Sequence, residues 1–452
     1  MGNCSCTFDL MASKRDEFED WEQELTTPLS QFPGCDIPMV EDRAISFRQL
    51  QHVLGNIIQR CKPSGWTGSG GPLKDKPLEP EQVNLYDLVK HYVNPETEAR
   101  KCSYVELVAK GPQKPNWFAS HWWGEAVRDF VKCVRQHGID RQLDLDSVFY
   151  WVCAYANNQW NLQSDLSSDP AQSSFYRAIK QSEGTISIVD MDFTVYTRIW
   201  CVYEVFVSLS LHHNEIETGS RKYKYDVYTT RPDGCCVGIS EEPMPIDSVR
   251  AGPQNAPFDQ FQRQKKFPLD LADRALGINL QNAQASMAAD KVAILNSILG
   301  NRNLKDDKLP QNHTKYDALN NELRGRFAVC TWRVALHSGL DLSGHASCLA
   351  NSGLQVIFMS FREEELLTDM ECVRLAESLP RTLRSLTLPI GMTQVGDVGV
   401  KAVMNALLEM KDLEKVTIKM RSLKLNDETK QTIRDTKEEL KQHKVEVDFL
   451  GV

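Results

Sequence analysis

Several things are missing from these 452 residues, and each absence removes a class of function. No run of about 18 apolar residues occurs, so no membrane-spanning helix is expected. No secretory apolar core follows Met1, which sets aside a cleaved leader. The 13 cysteines show no repeated C-x-x-C spacing, and Cys235 and Cys236 are neighbours that rarely bridge each other. A disulfide framework is therefore not expected, and a reduced, cytosolic setting fits better. Cys and His nowhere fall at zinc-site spacing, so no metal site is assigned. A basic balance is also missing. The formal net charge is -9, which argues against non-specific binding to nucleic acid. Neither G-x-G-x-x-G nor G-x-x-x-x-G-K-[ST] is present, and Gly68-Ser-Gly-Gly71 lacks the strand and Lys-Ser/Thr context of a phosphate cradle. There is no G-x-S-x-G, so a serine hydrolase of that type is unsupported.

What is present is ordinary globular material, 41% apolar and 25% charged. At about 150 residues per domain the length suggests two to four units. Residues 1–43 read as irregular, 44–115 as a helical lead-in, 116–241 as an α/β domain, 258–345 as a helical linker and 350–452 as a repeat unit. In the lead-in, a helix is expected from Arg43 to Cys61, with Ile45, Leu50, Val53, Leu54, Ile57 and Ile58 on one face. Pro63 to Pro80 reads as a loop, and short helices are expected over 82–92 and 103–109. The central block then alternates. Strands are expected at 117–120, 147–154, 185–189 and 223–229, and helices at 125–137, 173–181 and 198–212. That alternation predicts a doubly wound parallel sheet. Helices are also expected over 279–299 and 315–336.

The last hundred residues repeat. Leu354-Gln-Val-Ile357-Phe-Met359, Leu383-Arg-Ser-Leu386-Thr-Leu388 and Leu413-Glu-Lys-Val416-Thr-Ile418 share one apolar pattern, with starts 29 and 30 residues apart. Helical stretches over 366–379 and 397–410 lie between them. This pattern resembles long leucine-rich repeats, with Arg362, Gly391 and Arg421 where Asn or Cys would stand. A short β-α stack is expected, with a surface for protein partners.

The chain opens Met-Gly-Asn-Cys-Ser-Cys, which resembles the termini of dually acylated signalling proteins. Gly2 would carry myristate. One such chain holds a membrane only marginally, and the following segment, from Asp16 to Glu24, is acidic. The second anchor would be palmitate on Cys4 or Cys6. The implied location is the cytoplasmic face of a membrane.

Three stretches of the central block resemble the Toll/interleukin-receptor (TIR) family, whose domains have a flavodoxin-like doubly wound sheet. Phe118-Ala-Ser-His-Trp-Trp-Gly-Glu125 looks like the opening strand and loop, F-x-S-F-R-G-E in plant members. Ser174-Phe-Tyr-Arg-Ala-Ile-Lys-Gln-Ser182, running on to Asp190, resembles the E-L-x-x-A-I-x-x-S helix and third strand. Arg198-Ile-Trp-Cys-Val-Tyr-Glu204 resembles S-x-W-C-L-x-E-L. The resemblance implies self-association, and in NAD-cleaving members the glutamate of the third motif is catalytic. That role would fall on Glu204. It is the only charged residue between Ile199 and Asn214, on a helix whose core face is expected at Ile199, Val202, Tyr203 and Phe206. A lone carboxylate there is expensive unless it is paired or reaches a cleft.

The reaction would cut the nicotinamide–ribose bond through a transition state of oxocarbenium character, which a carboxylate stabilises. NAD would be a substrate; no resident cofactor is implied. Ligands of doubly wound sheets lie beyond the carboxyl ends of the strands. Ser120, His121, Trp122 and Trp123 after the first strand and Asn157 after the second, with Trp200, are the candidate binding residues. The other reading makes these same residues packing elements of an assembly module that catalyses nothing, and both stand open at this point.

Overall fold

The computed structural model describes residues 34–162, 167–218, 223–240 and 264–451. The acylation candidates Gly2, Cys4 and Cys6 lie outside the described residues. The protein is mixed α/β. Its larger sheet is mostly parallel, with six strands: β1 (Ile45–Ser46), β2 (Trp117–His121), β3 (Phe149–Trp151), β4 (Gly184–Ile188), β5 (Lys224–Thr230) and β6 (Cys236–Ser240). Their order is β1-β3-β2-β4-β5-β6. The chain divides into two compact units, one formed by 1–139, 143–188 and 221–224, the other by 140–142, 189–220 and 225–452.

In the first unit, helix α1 (Phe47–Arg60) starts later than expected, because Ile45 and Ser46 pair antiparallel with Tyr150 and Phe149. Ser46 closes a capping box. Its hydroxyl accepts from Gln49 N at 3.2 Å, while Gln49 Oε1 accepts from Ser46 N at 2.9 Å. The helix buries Leu50, Val53, Leu54 and Ile57, but Ile58 faces solvent. The 63–80 loop is tied by its own backbone, with Leu78 N donating to Trp66 O and Gly68 N to Lys76 O. A short helix α2 (Tyr104–Val108) repeats the capping box with Ser103 and Glu106.

Strand β2 is buried along its whole length and runs parallel to both β3 and β4. Two-sided burial is what its apolar run requires. Helix α3 (Val127–Asp140) follows it. The 147–154 run gives only three strand residues. At Cys153 the chain turns into a single helical turn, α4 (Cys153–Ala156), so the end of that run fills the core as a helix. Short apolar runs do not distinguish the two. Helix α5 (Ser174–Gln181) is capped by Ser173, whose hydroxyl accepts from Tyr176 N at 3.2 Å. Phe118 stacks on Trp151 with centroids 5.3 Å apart, and Phe175 meets Trp151 edge-on. Gly184 is required beside this cluster, since a Cβ there would lie 2.6 Å from the Trp117 ring.

In the second unit, β5 and β6 form an antiparallel hairpin. Helices α6 (Ile199–Thr218), α7 (Leu269–Leu276), α8 (Ala288–Leu299), α9 (Thr314–His337) and α10 (Ser343–Ala350) lead to the repeat. Helix α8 starts nine residues after the expected Asn279. The preceding backbone is used elsewhere: Leu280 N donates to Asn320 Oδ1, and Gln284 exchanges hydrogen bonds with Thr197 and Ile199.

The repeat is a four-stranded parallel sheet in the order β10-β9-β8-β7, made of β7 (Val356–Phe358), β8 (Ser385–Pro389), β9 (Lys415–Lys419) and β10 (Glu446–Leu450). Helices α11 (Asp369–Ser378), α12 (Asp397–Leu408) and α13 (Asp427–Gln442) alternate with the strands. In register, Ile357, Leu386 and Val416 form one buried row, and Leu388, Ile418 and Phe449 another. The fourth strand and its helix continue a series whose first three members stand out in the sequence. Each helix opens on an aspartate. Asp369 Oδ1 accepts from Gly396 N at 2.8 Å and Gly399 N at 2.7 Å, and Asp397 Oδ1 accepts from Asn426 N at 2.9 Å. Each aspartate thus caps the following unit's helix.

Replacing Asp369 with Ala should cost about 1–2 kcal/mol, the usual loss for a helix cap. Asp427→Ala, which removes no such bond, should stay within about 0.5 kcal/mol. Urea midpoints of the two variants check this, and equal midpoints would remove the inter-unit cap from the account.

Candidate functional site

The two ends of the candidate site fall in different units and are described in turn. In the first unit, Ser120 and His121 belong to the strand itself, one residue beyond its expected end, and both are buried. His121 Nδ1 lies 3.2 Å from the Ala119 carbonyl, and its ring sits 4.7 Å from that of Phe130 on α3. Burial lowers the imidazole from the usual 6.5 to about 4, against a smaller opposing effect of the Ala119 carbonyl. It is therefore neutral at pH 7.

Trp122 and Trp123 follow, both half-buried. The Trp122 ring lies against Gly124, where a Cβ would come within 2.2 Å of Cζ2, so only glycine fits that turn. The Trp123 indole donates to Cys153 Sγ at 3.0 Å and tilts against Tyr86 at 5.4 Å. The loops after β2 and β3 are thus brought together, as the sequence suggested, through Trp123 and Cys153. Asn157, 2% exposed, turns inward, and its Oδ1 accepts from Ser174 Oγ of α5 at 2.9 Å. Its carbonyl accepts from Gln159 Nε2 at 3.2 Å.

In the second unit, Glu204 is 4% exposed. The expected core face on α6 is only part of the truth. Cys201, Val205 and Leu209 are buried along with Ile199, Val202 and Tyr203, while Phe206 is only partly so. Trp200, Phe206, Ser210 and Leu211 are half-buried and share one side of the helix, and Glu204 lies beside that stripe. Ser208 Oγ donates to the Glu204 carbonyl at 2.7 Å, a one-turn back-bond within the helix. Trp200 donates its indole N–H to Asp290 Oδ2 on α8 at 3.0 Å. Asp290 was not singled out, because nothing in a helix-opening aspartate points to a tryptophan 90 residues away.

Sequence reasoning also passed over a buried polar knot in this unit. Arg141 grips Asp226 with two hydrogen bonds of 2.8 and 2.6 Å, and Tyr228 donates to Asp140 at 2.9 Å. A charged residue inside the apolar strand Tyr225-Asp-Val-Tyr228 was the available signal. Among the described residues no group of three or more His, Cys, Asp or Glu side chains could hold a metal ion. A shallow recess lies between the β5–β6 hairpin and α9, lined by Tyr225, Val227, Ile239, Leu323, Phe327 and Cys330, and includes none of the candidate residues. No family model matches the chain, and no curated protein matches it.

The buried imidazole sets a pH dependence. Folded His121 stays neutral down to about pH 4, whereas the unfolded ring protonates near 6.5. Its contribution is therefore complete above pH 6.5 and is lost as the pH falls toward 4. His345, in the second unit, is lowered to about 4 by burial and acts in the same sense. From pH 7 to pH 5 the His121 contribution alone should fall by about 2 kcal/mol. Denaturation midpoints at the two pH values measure it. A His121→Asn variant should lose less over that interval than the parent; an equal loss would assign the acid sensitivity elsewhere.

Proposed function

We propose that this is a signalling protein whose α/β domain is TIR-like and acts by self-association, as an interaction module rather than an enzyme. The observation that carries this reading is the burial of Glu204 at 4% exposure. The surrounding candidates support it. Trp200 is held by Asp290, Trp123 by Cys153 and Asn157 by Ser174, each serving as a structural tie. The fold reading is supported by the strand order β3-β2-β4-β5, which corresponds to the first four strands, 2-1-3-4, of a flavodoxin-like sheet, while β6 departs from that pattern by pairing antiparallel with β5. In this proposal acyl chains on Gly2 and on Cys4 or Cys6 hold the protein at the cytoplasmic face of a membrane, and the leucine-rich-repeat-like unit receives protein partners.

The alternative is an NAD glycohydrolase with Glu204 as its carboxylate. It is favoured by the isolation of Glu204 as the only charged residue from Ile199 to Asn214. A carboxylate kept in such a place has a cost that function can explain.

Purified full-length protein at high concentration, incubated with NAD beside a Glu204→Gln variant, separates the two. The module reading expects no nicotinamide release from either protein and a light-scattering mass that rises with concentration. Release that disappears in the variant would establish the enzyme. A monomer at every concentration would refute self-association. For the anchor, mass spectrometry of the native amino terminus should find an acyl chain on Gly2; a bare Gly2 rejects it.

A further inference from the structure

The repeat unit carries a polarity in its charges. Four ion pairs join successive strand–helix units: Arg381 with Glu409, Arg384 with Glu414, Lys401 with Glu428 and Lys415 with Glu446. In each, the cation belongs to the unit nearer β7 and the carboxylate to the unit nearer β10. At the start of each strand Ser385 N donates to Gln355 O, Lys415 N to Arg384 O and Glu446 N to Glu414 O.

At β10 the sign reverses. In register, the place held by Lys415 on β9 is held by Glu446 on β10, and Asp448 stands opposite Thr417. Glu446 has a side chain 68% exposed, so its carboxylate can accept a second cation beside Lys415. Among the described residues β10 pairs with β9 alone, on one edge. The alternation set by Glu446 N, which points to β9, sends the N–H groups of Val447 and Phe449 outward.

We propose that the open edge of β10 takes up an extended, lysine- or arginine-bearing segment of a partner protein as a fifth parallel strand. Its backbone would pair with Val447 and Phe449, and its cations would meet Glu446 and Asp448. Charge selects this occupant. A second β10, antiparallel and centred on Asp448, would set two carboxylates opposite each other, which is destabilising. The chain's own acidic stretch from Asp16 to Glu24 has the wrong sign. The inference refines the partner-binding role proposed for the repeat unit and does not depend on the reading of the α/β domain.

The probe is a fluorescein-labelled peptide of about ten residues, a strand length, with Lys at alternate positions and Val, Ile or Thr between them. It is titrated with the full-length protein and followed by fluorescence anisotropy. Two controls use the unaltered protein: the same peptide with Glu for Lys, and one with Pro at the intervening positions. Two variants test the edge. Val447→Pro removes one outward N–H at an edge position where proline is tolerated. The pair Glu446→Lys and Asp448→Lys reverses the charge.

Binding should be specific to the Lys peptide, lost in the Pro peptide and in Val447→Pro, and about tenfold weaker in the charge-reversed protein, the most that two exposed ion pairs supply. Equal binding of the Lys and Glu peptides, full binding by Val447→Pro, or no binding of the Lys peptide at about 1 mM would overturn the proposal. Loss of peptide binding with self-association intact refutes only the edge. Loss of self-association with peptide binding intact refutes only the module.

Discussion

A charge taken out of water costs several kcal/mol unless another charge or a set of dipoles meets it inside the protein. Both units of this chain are organised around that constraint. In the first, Glu106 accepts from Ile37 N at 3.0 Å and lies 3.5 Å from Arg43, while Arg177 donates to Glu41 at 2.9 Å. These contacts fasten residues 37–43 to segments 60 to 140 positions away, so the lead-in is part of the unit's core. In the second, Arg141 holds Asp226, and Arg333 of α9 holds Glu364 at 2.9 Å while also donating to the Ser360 and Arg362 carbonyls. Burial lowers the Arg333 guanidinium from its ordinary value, and the Glu364 carboxylate opposes that change. Removing either partner takes from the other its principal opposite charge. The apolar core would tolerate some repacking; these pairs would not, and they fix the register of what they join.

The repeat unit solves a related problem by repetition. Its strands bury two rows and leave the alternate side chains outside, so each unit has only one face to offer a core. Stacking supplies the rest. Aspartates at the helix starts and ion pairs between units set the spacing that the apolar rows alone would leave loose, because leucine and valine in a row resist separation more than sliding. The polar ties run in one direction along the stack. That gives the unit two chemically different ends, and its edge at β10 is acidic.

Much of this was legible in the sequence because burial leaves a periodic mark. The alternation that predicted strands at 117–120, 185–189 and 223–229 yields β2, β4 and β5 to within a residue, and three of the four repeat strands fall on the hexapeptides that announced them, β8 and β9 running one residue past. The exceptions have a common cause. The 147–154 run is apolar throughout, so it could not say where β3 stops and α4 begins. Residues 279–287 have helical spacing, but their backbone is committed to Thr197, Ile199 and Asn320, partners that local sequence cannot show. Strand β10 reads Glu446-Val-Asp-Phe-Leu450, and its charges at alternate positions hid it.

The candidate residues lie where the strand and helix readings put them in the chain, but their orientation was less legible. Trp123 and Asn157 follow their strands as expected, yet both side chains are engaged within the unit. Glu204 shows why. From spacing alone it sat at the edge of an apolar arc, where a carboxylate can reach solvent. That inference assumed a helix covered on one side. A helix with a single charged residue in sixteen carries little information about which side is open, because apolar residues occupy every direction. Periodicity fails where composition is uniform, and then only the surrounding elements decide what is buried. The same uniformity makes the burial of Glu204 informative once it is seen. A carboxylate 4% exposed offers little surface to a substrate, and the proposed assembly role rests on that burial.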